Sequence, residues 1–189
     1  MKLIHITASY KPAYIYGGPI QSVGKLCEVL SVDKRVAVDG NNASVHELEV
    51  LTTTANGKNE LDVVIGEPVL VDAVPVTYFK RLTKDHSHFS PGLLLNLRKE
   101  ILHCIQDDKT SDKDDKLIIH IHAWWNLVSV LSCLVAKWYK IPVVLSPRGM
   151  LTTYSFGNRN LFSKRLIHRL IGKQLLKYCH IHALSLIHI

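Results

Sequence analysis

Not one aspartate or glutamate occurs after Asp115. Residues 1–115 hold 13 of the 23 Lys+Arg and all 16 Asp+Glu, so residues 116–189 hold ten basic residues and no carboxylate. The second part of the chain therefore has nothing to neutralise its own cations. It presents either a plain solvated basic face or a surface for anions such as phosphates, acidic headgroups or nucleic acid. Cysteine is sparse as well. Cys27, Cys104, Cys133 and Cys179 are widely scattered, and no Cys-x-x-Cys pair occurs. Each lies in or beside an apolar helical stretch, which reads as buried thiols in preference to a disulfide framework or a zinc site. No apolar run approaches the roughly 20 residues that a membrane span needs. Residues 1–7 are too short and too strand-like for a signal peptide, so the cytoplasm is the expected compartment. The dinucleotide fingerprint and the Walker lysine pattern are missing. So are repeats at solenoid spacing and long low-complexity tracts.

What is present is most informative between residues 117 and 150. LIIHIHAWW (117–125) and IPVVLSPRGM (141–150) are two short apolar runs that end in polar and aromatic residues. An apolar, helix-length segment, 126–139, lies between them. Strand, crossover helix and strand make a parallel sheet buried on both faces. Ligands of such sheets bind beyond the carboxyl ends of the strands.

The remaining pattern is consistent with that unit. KLIHIT (2–7) predicts a first strand, followed by a loop over 8–18. A helix starts near Pro19, because proline is favoured at a first helical position and Val23, Leu26, Cys27 and Leu30 share one face. Residues 31–44 are a polar connection with a turn signal at Asp39-Gly40-Asn41-Asn42. Strands are expected over 45–53, 63–71 and 74–79, and a helix from Ser90-Pro91 to about Ile105. A charged connector (106–116) precedes the central unit. A loop over 147–158, a basic helix over 159–178 and a strand over 180–189 complete the order. The expectation is one domain over 1–189, α/β, with a doubly wound, mostly parallel, Rossmann-like sheet.

Five places are candidate sites. In Tyr16-Gly17-Gly18-Pro19 two glycines let backbone amides approach a ligand, with a helix N-terminus behind them to favour an anion. A lone Gly-Gly pair serves equally as a plain tight turn. His120 and His122 face the same side of a strand, but no third ligand stands at diagnostic spacing, so they are read without a metal. His122, nearer the strand tip, is expected to face a ligand. Trp124 and Trp125 offer aromatic platforms and Asn126 an amide, with one of the two indoles belonging to the core. In Ser146-Pro147-Arg148-Gly149-Met150 the arginine at a strand tip suits a phosphate or carboxylate. Finally, Arg165, Arg169, Lys173 and Lys177 recur every four residues as a basic stripe. Such a stripe suits an anionic membrane surface or the solvated face of a packing helix.

Taken together, KLIHITASYKPAYIYGGPIQSV, VHELEVLTT, LIIHIHAWWN, VVLSPRGML and YCHIHALS resemble, in order, the N-terminal domain of the retaining, GT-B-fold glycosyltransferases of family 4, which build bacterial polysaccharides and glycolipids. The resemblance implies two Rossmann-like domains facing across a cleft, this one mainly holding the acceptor and a second holding the nucleotide-sugar. It implies donor phosphates near Gly17 and Gly18, and Arg148 near the transferred sugar at a place where many relatives carry histidine. His122, which with Arg148 is a candidate catalytic residue, and Asn126 would line the acceptor side, together with Tyr16, Trp124, Ser146, Gly149 and Met150. The implied partners are a nucleotide-sugar, a polysaccharide or lipid-linked acceptor, an anionic membrane surface at the inner face of the plasma membrane, and a C-terminal donor domain. No cofactor, metal or nucleic acid is expected. The chemistry would be front-face glycosyl transfer with retention.

Two departures accompany the likeness. The donor domain with its basic residues and paired glutamates is not in the sequence, and where the family runs His-Ala-Thr-Ser-Glu this chain reads His182-Ala183-Leu184-Ser185-Leu186. A fragment that does not transfer sugar alone is the expectation, its last residues diverging as if the reading frame had left the gene. Two other readings remain: a standalone basic module for anionic lipid or nucleic acid, and another GT-B enzyme such as a sugar-nucleotide epimerase. The first lacks aromatics interleaved with the basic stripe. The second needs carboxylates near the sugar.

Overall fold

The computed structural model describes residues 1–32, 35–38, 41–44, 47–85, 87–110, 116–150 and 172–182. In chain order the strands are β1 (Lys2–Ile6), β2 (Arg35–Val38), β3 (Asn41–Ser44), β4 (Glu47–Thr53), β5 (Ala55–Asn56), β6 (Asn59–Glu60), β7 (Pro68–Val71), β8 (Val74–Phe79), β9 (Leu117–His122), β10 (Val143–Ser146) and β11 (His180–Ile181). The helices are α1 (Gly18–Val32), α2 (Pro91–Thr110), α3 (Leu127–Trp138) and the short α4 (Lys173–Tyr178). A 3-10 turn covers Tyr14–Tyr16.

Seven strands form one sheet in the order β11-β10-β9-β1-β4-β8-β7. Only β7 runs antiparallel, paired to β8 at one edge. Growth begins at β1, proceeds outward through β4 and β8, then returns across α2 to β9 on the other side of β1 and continues outward. The reversal falls between β1 and β9. This is the doubly wound, Rossmann-like α/β arrangement, in which a crevice opens at the switch point.

Side-chain alternation divides the strands between two cores. Ile4, Ile6, Leu117, Ile119, Ile121, Val143 and Leu145 face the side covered by α2 and α3, and pack with Leu93, Leu97, Ile101, Val128 and Cys133. Leu3, Leu48, Val50, Val76 and Tyr78 face α1 and pack with Val23 and Cys27. The same period of two sends His5, His120, His122 and Ser146 to the α1 side. There β1, β9 and β10 carry polar groups where β4 and β8 carry apolar ones.

Local chemistry sets the element ends. Asn126 caps α3, its Oδ1 accepting from the Ser129 amide at 2.8 Å, and Tyr139 closes the same helix. Pro91 opens α2, which runs on to Thr110, beyond the expected end near Ile105, since no glycine or proline intervenes. The stretch expected as a plain connection over 31–44 contains the antiparallel hairpin β2–β3. Over 63–71 only Pro68–Val71 is strand, with one isolated bridge at Ile65. Of the basic helix expected over 159–178, Lys173–Tyr178 is helical, and residues 159–171 lie outside the described residues. So does the last strand beyond His182.

Candidate functional site

The site is assembled at the carboxyl ends of β1, β9 and β10. Ile4-His5-Ile6 and Ile119-His120-Ile121 lie in register, residue against residue. Ser146 lies opposite His122. His5 and Ser146 are almost wholly buried, as are His120 and His122. The rings of His5 and His122 are near-parallel with centroids 5.2 Å apart, and that of His120 is 4.9 Å from His5 and 4.2 Å from His122.

Two hydrogen-bonded runs cross this cluster. In one, Ser146 Oγ lies 2.8 Å from His120 Nε2 and 3.2 Å from Nδ1 of His182, at the end of β11. In the other, His5 Nδ1 lies 2.9 Å from His122 Nε2. His122 Nδ1 faces Arg148 Nη2 at 3.4 Å, and Arg148 Nη1 donates to Ser22 Oγ in α1 at 2.6 Å. A guanidinium only donates, so His122 Nδ1 must accept. The His122 proton therefore sits on Nε2 and is donated to His5 Nδ1. That leaves the His5 proton on Nε2, a buried atom without a partner.

The cluster is held neutral. Burial, with the nearby Arg148 charge adding to it, pushes His5 down to about 3. His120 is pushed down to about 2, by burial first and then by His5, His182 and Arg148. Burial, then the neighbouring imidazoles and Arg148, hold His122 well below the usual histidine range. One nitrogen from each of His5, His120 and His122 can be chosen so that all lie within 4.8 Å of one another, a spacing that suits a metal ion. The tautomer opposes this use. To ligate through Nε2, His122 would have to carry its proton on Nδ1 and point it at the guanidinium.

Arg148 combines a left-handed backbone with a half-buried side chain. Its backbone φ is +47°, followed by Gly149 at +75°, and Ala123 at the tip of β9 is at +68°. Left-handed backbone at non-glycine residues is costly and gathers where geometry matters. Among the described residues Arg148 has no carboxylate partner, and its Nε is buried and unpaired. On the facing side, Gly17 turns at φ +67° and Gly18 begins α1. Both glycines border open space where a Cβ would stand. The guanidinium reaches α1 at Ser22, and both a guanidinium and a helix start are groups that favour an anion.

The other sequence candidates separate. Trp124 is 1% exposed and belongs to the α2–α3 core; it offers no platform to an acceptor. The α3 cap turns it inward and leaves Trp125 as the half-buried indole, with Nε1 donating to the Met150 carbonyl at 2.6 Å. Asn126 is buried and its amide oxygen is committed to capping α3. Tyr16 is half-buried beside the glycine turn, its hydroxyl accepting from the Gly57 amide at 2.9 Å. Met150 closes the turn after β10, its amide donating to the Pro147 carbonyl at 3.0 Å. Lys173 and Lys177 are exposed on α4; Arg165 and Arg169 lie outside the described residues. His5 is the member of the histidine cluster that spacing alone missed. Its signal was the repeated Ile-His-Ile, once in each of two strands that a parallel sheet can bring into register.

Among the described residues no helix is long and apolar enough to cross a membrane. No known protein-family model matches the chain, and none of the curated proteins matches its sequence.

Proposed function

We propose that the chain is the acceptor-side domain of a retaining, nucleotide-sugar-dependent glycosyltransferase of the GT-B type, acting on a polysaccharide or lipid-linked acceptor. One observation carries the reading. An arginine without a carboxylate partner among the described residues stands at the carboxyl end of a parallel sheet, bridged to the first helix beside open glycine backbone.

Charge develops on a diphosphate as its bond to the sugar breaks. A fixed guanidinium and helix-end amides stabilise that charge without reorganising. In this reading the acceptor hydroxyl attacks the anomeric carbon on the face the diphosphate leaves. The hydroxyl proton passes to the departing phosphate oxygen. Arg148 meets the phosphate charge. His122, held neutral, keeps Arg148 in place and is not itself a proton carrier. Gly149 and Met150 follow Arg148 on the exposed side of the turn, Tyr16 stands beside the glycine turn, and Ser146 is buried beneath against His120 and His182. The second domain implied by the reading would bind the nucleotide.

The test is sugar transfer by the whole product of the reading frame that carries these residues. It is supplied with a panel of nucleotide-sugars and lipid-linked acceptors, and the anomeric configuration of the product is read by NMR. Retained configuration supports the reading. Inversion, or no transfer from any donor, overturns it.

A further inference from the structure

We propose that Cys133 and Cys179 form a reversible disulfide on exposure to a peroxide, clamping helix α3 to the start of edge strand β11. Their sulfurs lie 3.3 Å apart, although the residues are 46 positions apart in the chain. Cys133 is buried in the face of α3 that meets the sheet, and Cys179 is the partly exposed cap of α4. Neither is in a disulfide. Cys27, by contrast, is fully buried beside Tyr10 and Val23 in the opposite core.

The pair is chemically unequal. The hydrogen bond from Cys133 holds the Cys179 thiol below its ordinary range, and Lys137 adds to this. Donating that bond, together with burial, pushes the Cys133 thiol up. Cys179, the partly exposed sulfur of the pair, is the one a peroxide reaches and is the attacking thiolate, and the buried Cys133 is the resolving thiol. The Cys179 sulfur attacks one peroxide oxygen, the O–O bond breaks, and hydroxide leaves a sulfenic acid. Cys133 loses its proton to hydroxide and attacks the Cys179 sulfur. The S–O bond breaks, the S–S bond forms, and hydroxide departs. Two thiols and one hydrogen peroxide give a disulfide and two waters.

The consequence reaches the site. Cys179 immediately precedes β11, which pairs with β10 at Val144 and Leu145. The next residue, His182, donates its amide to the Leu145 carbonyl at 2.8 Å and places its ring on Ser146. A bond at Cys179 anchors the strand that brings His182 to the His120 side of the cluster.

The test treats the whole chain with hydrogen peroxide at low equivalents and maps its peptides without reduction. The expected result is a linked Cys133–Cys179 peptide, loss of two of the four titratable thiols, and full recovery with dithiothreitol. Cys133→Ser should leave a sulfenic acid on Cys179 that a dimedone probe captures. Cys179→Ser should abolish both products. Oxidation that begins at Cys27 or Cys104, or wild-type protein without the linked peptide, overturns the proposal, and the wild-type map requires no variant to fold.

Discussion

Arg148 donates from Nη2 to Nδ1 of His122 across 3.4 Å, and that bond decides the tautomer of two imidazoles. His122 must carry its proton on Nε2 and pass it toward His5, 2.9 Å away. The arginine is held in turn from the other side by Ser22. A neutral buried pair thus braces a cation that no carboxylate among the described residues neutralises.

Arg148→Ala should lower the transfer rate of the full gene product by about 100-fold or more, the order seen when a fixed charge-stabilising donor is removed. Arg148→Lys should recover little, because an ammonium cannot span Ser22 and His122 as a planar fork does. Steady-state kinetics of both variants, with thermal melts alongside, measure this. Wild-type rates from the alanine variant would remove Arg148 from the chemistry.

The same bond makes a prediction about metal. While Arg148 is present, the tautomer of His122 works against a cation at the His5–His120–His122 group. Arg148→Leu lifts that constraint. Calorimetric titration with nickel should therefore find a site in the variant, lost again when His5→Leu is added, and none at this place in the wild type. Equal binding by wild type and variant would contradict the tautomer argument.

Acid should unfold the protein earlier than surface histidines would predict. His5, His120 and His122 have folded-state pKa values below the ordinary 6.5, so the unfolded chain binds more protons below that pH. Stability from the cluster is complete above about 6.5 and falls as pH drops toward the folded values. The slope is at most about 1.4 kcal/mol per pH unit for each histidine. Urea midpoints compared at pH 7.5 and 5.5 should show this loss, and His5→Leu should make it shallower. Curves of equal slope for wild type and variant would count against burial as the cause.

Trp124→Ala should cost about 3–5 kcal/mol of stability, as expected for a large buried side chain. Trp125→Ala should cost much less. Asn126→Ala, which removes the α3 cap, should cost about 1 kcal/mol. Denaturant unfolding separates the three. A Trp124 variant that keeps its stability and loses only acceptor affinity would restore the platform role.

Much of this arrangement is legible in the chain. Runs such as LIIHIH and VVLS are long enough and apolar enough for central parallel strands and too short for helices. The apolar segment between them is capped by Asn126 as its spacing requires. Arg148, Gly17 and Gly18 stand at strand and helix ends that any parallel α/β order places on one edge. The antiparallel pair within residues 35–44 was not legible, because each strand is only four residues long and β3 is polar. The end of α2 was obscured by the charged run that follows Gln106 in the sequence. The division of labour between Trp124 and Trp125 depends on the twist of a single capped turn, which adjacent identical residues cannot reveal.

The sequence by itself determined the fold class and the strand and helix ends at which Arg148, Gly17 and Gly18 stand. These follow from periodicity and from strand ends, both local properties. Only the tertiary structure decided that His5 completes the histidine cluster, that Arg148 is braced by His122 and Ser22, and that Cys133 meets Cys179. Each of those is a contact between residues distant in the chain. Contacts of that kind are set by strand order and register, quantities that a linear pattern of apolar and polar residues leaves open.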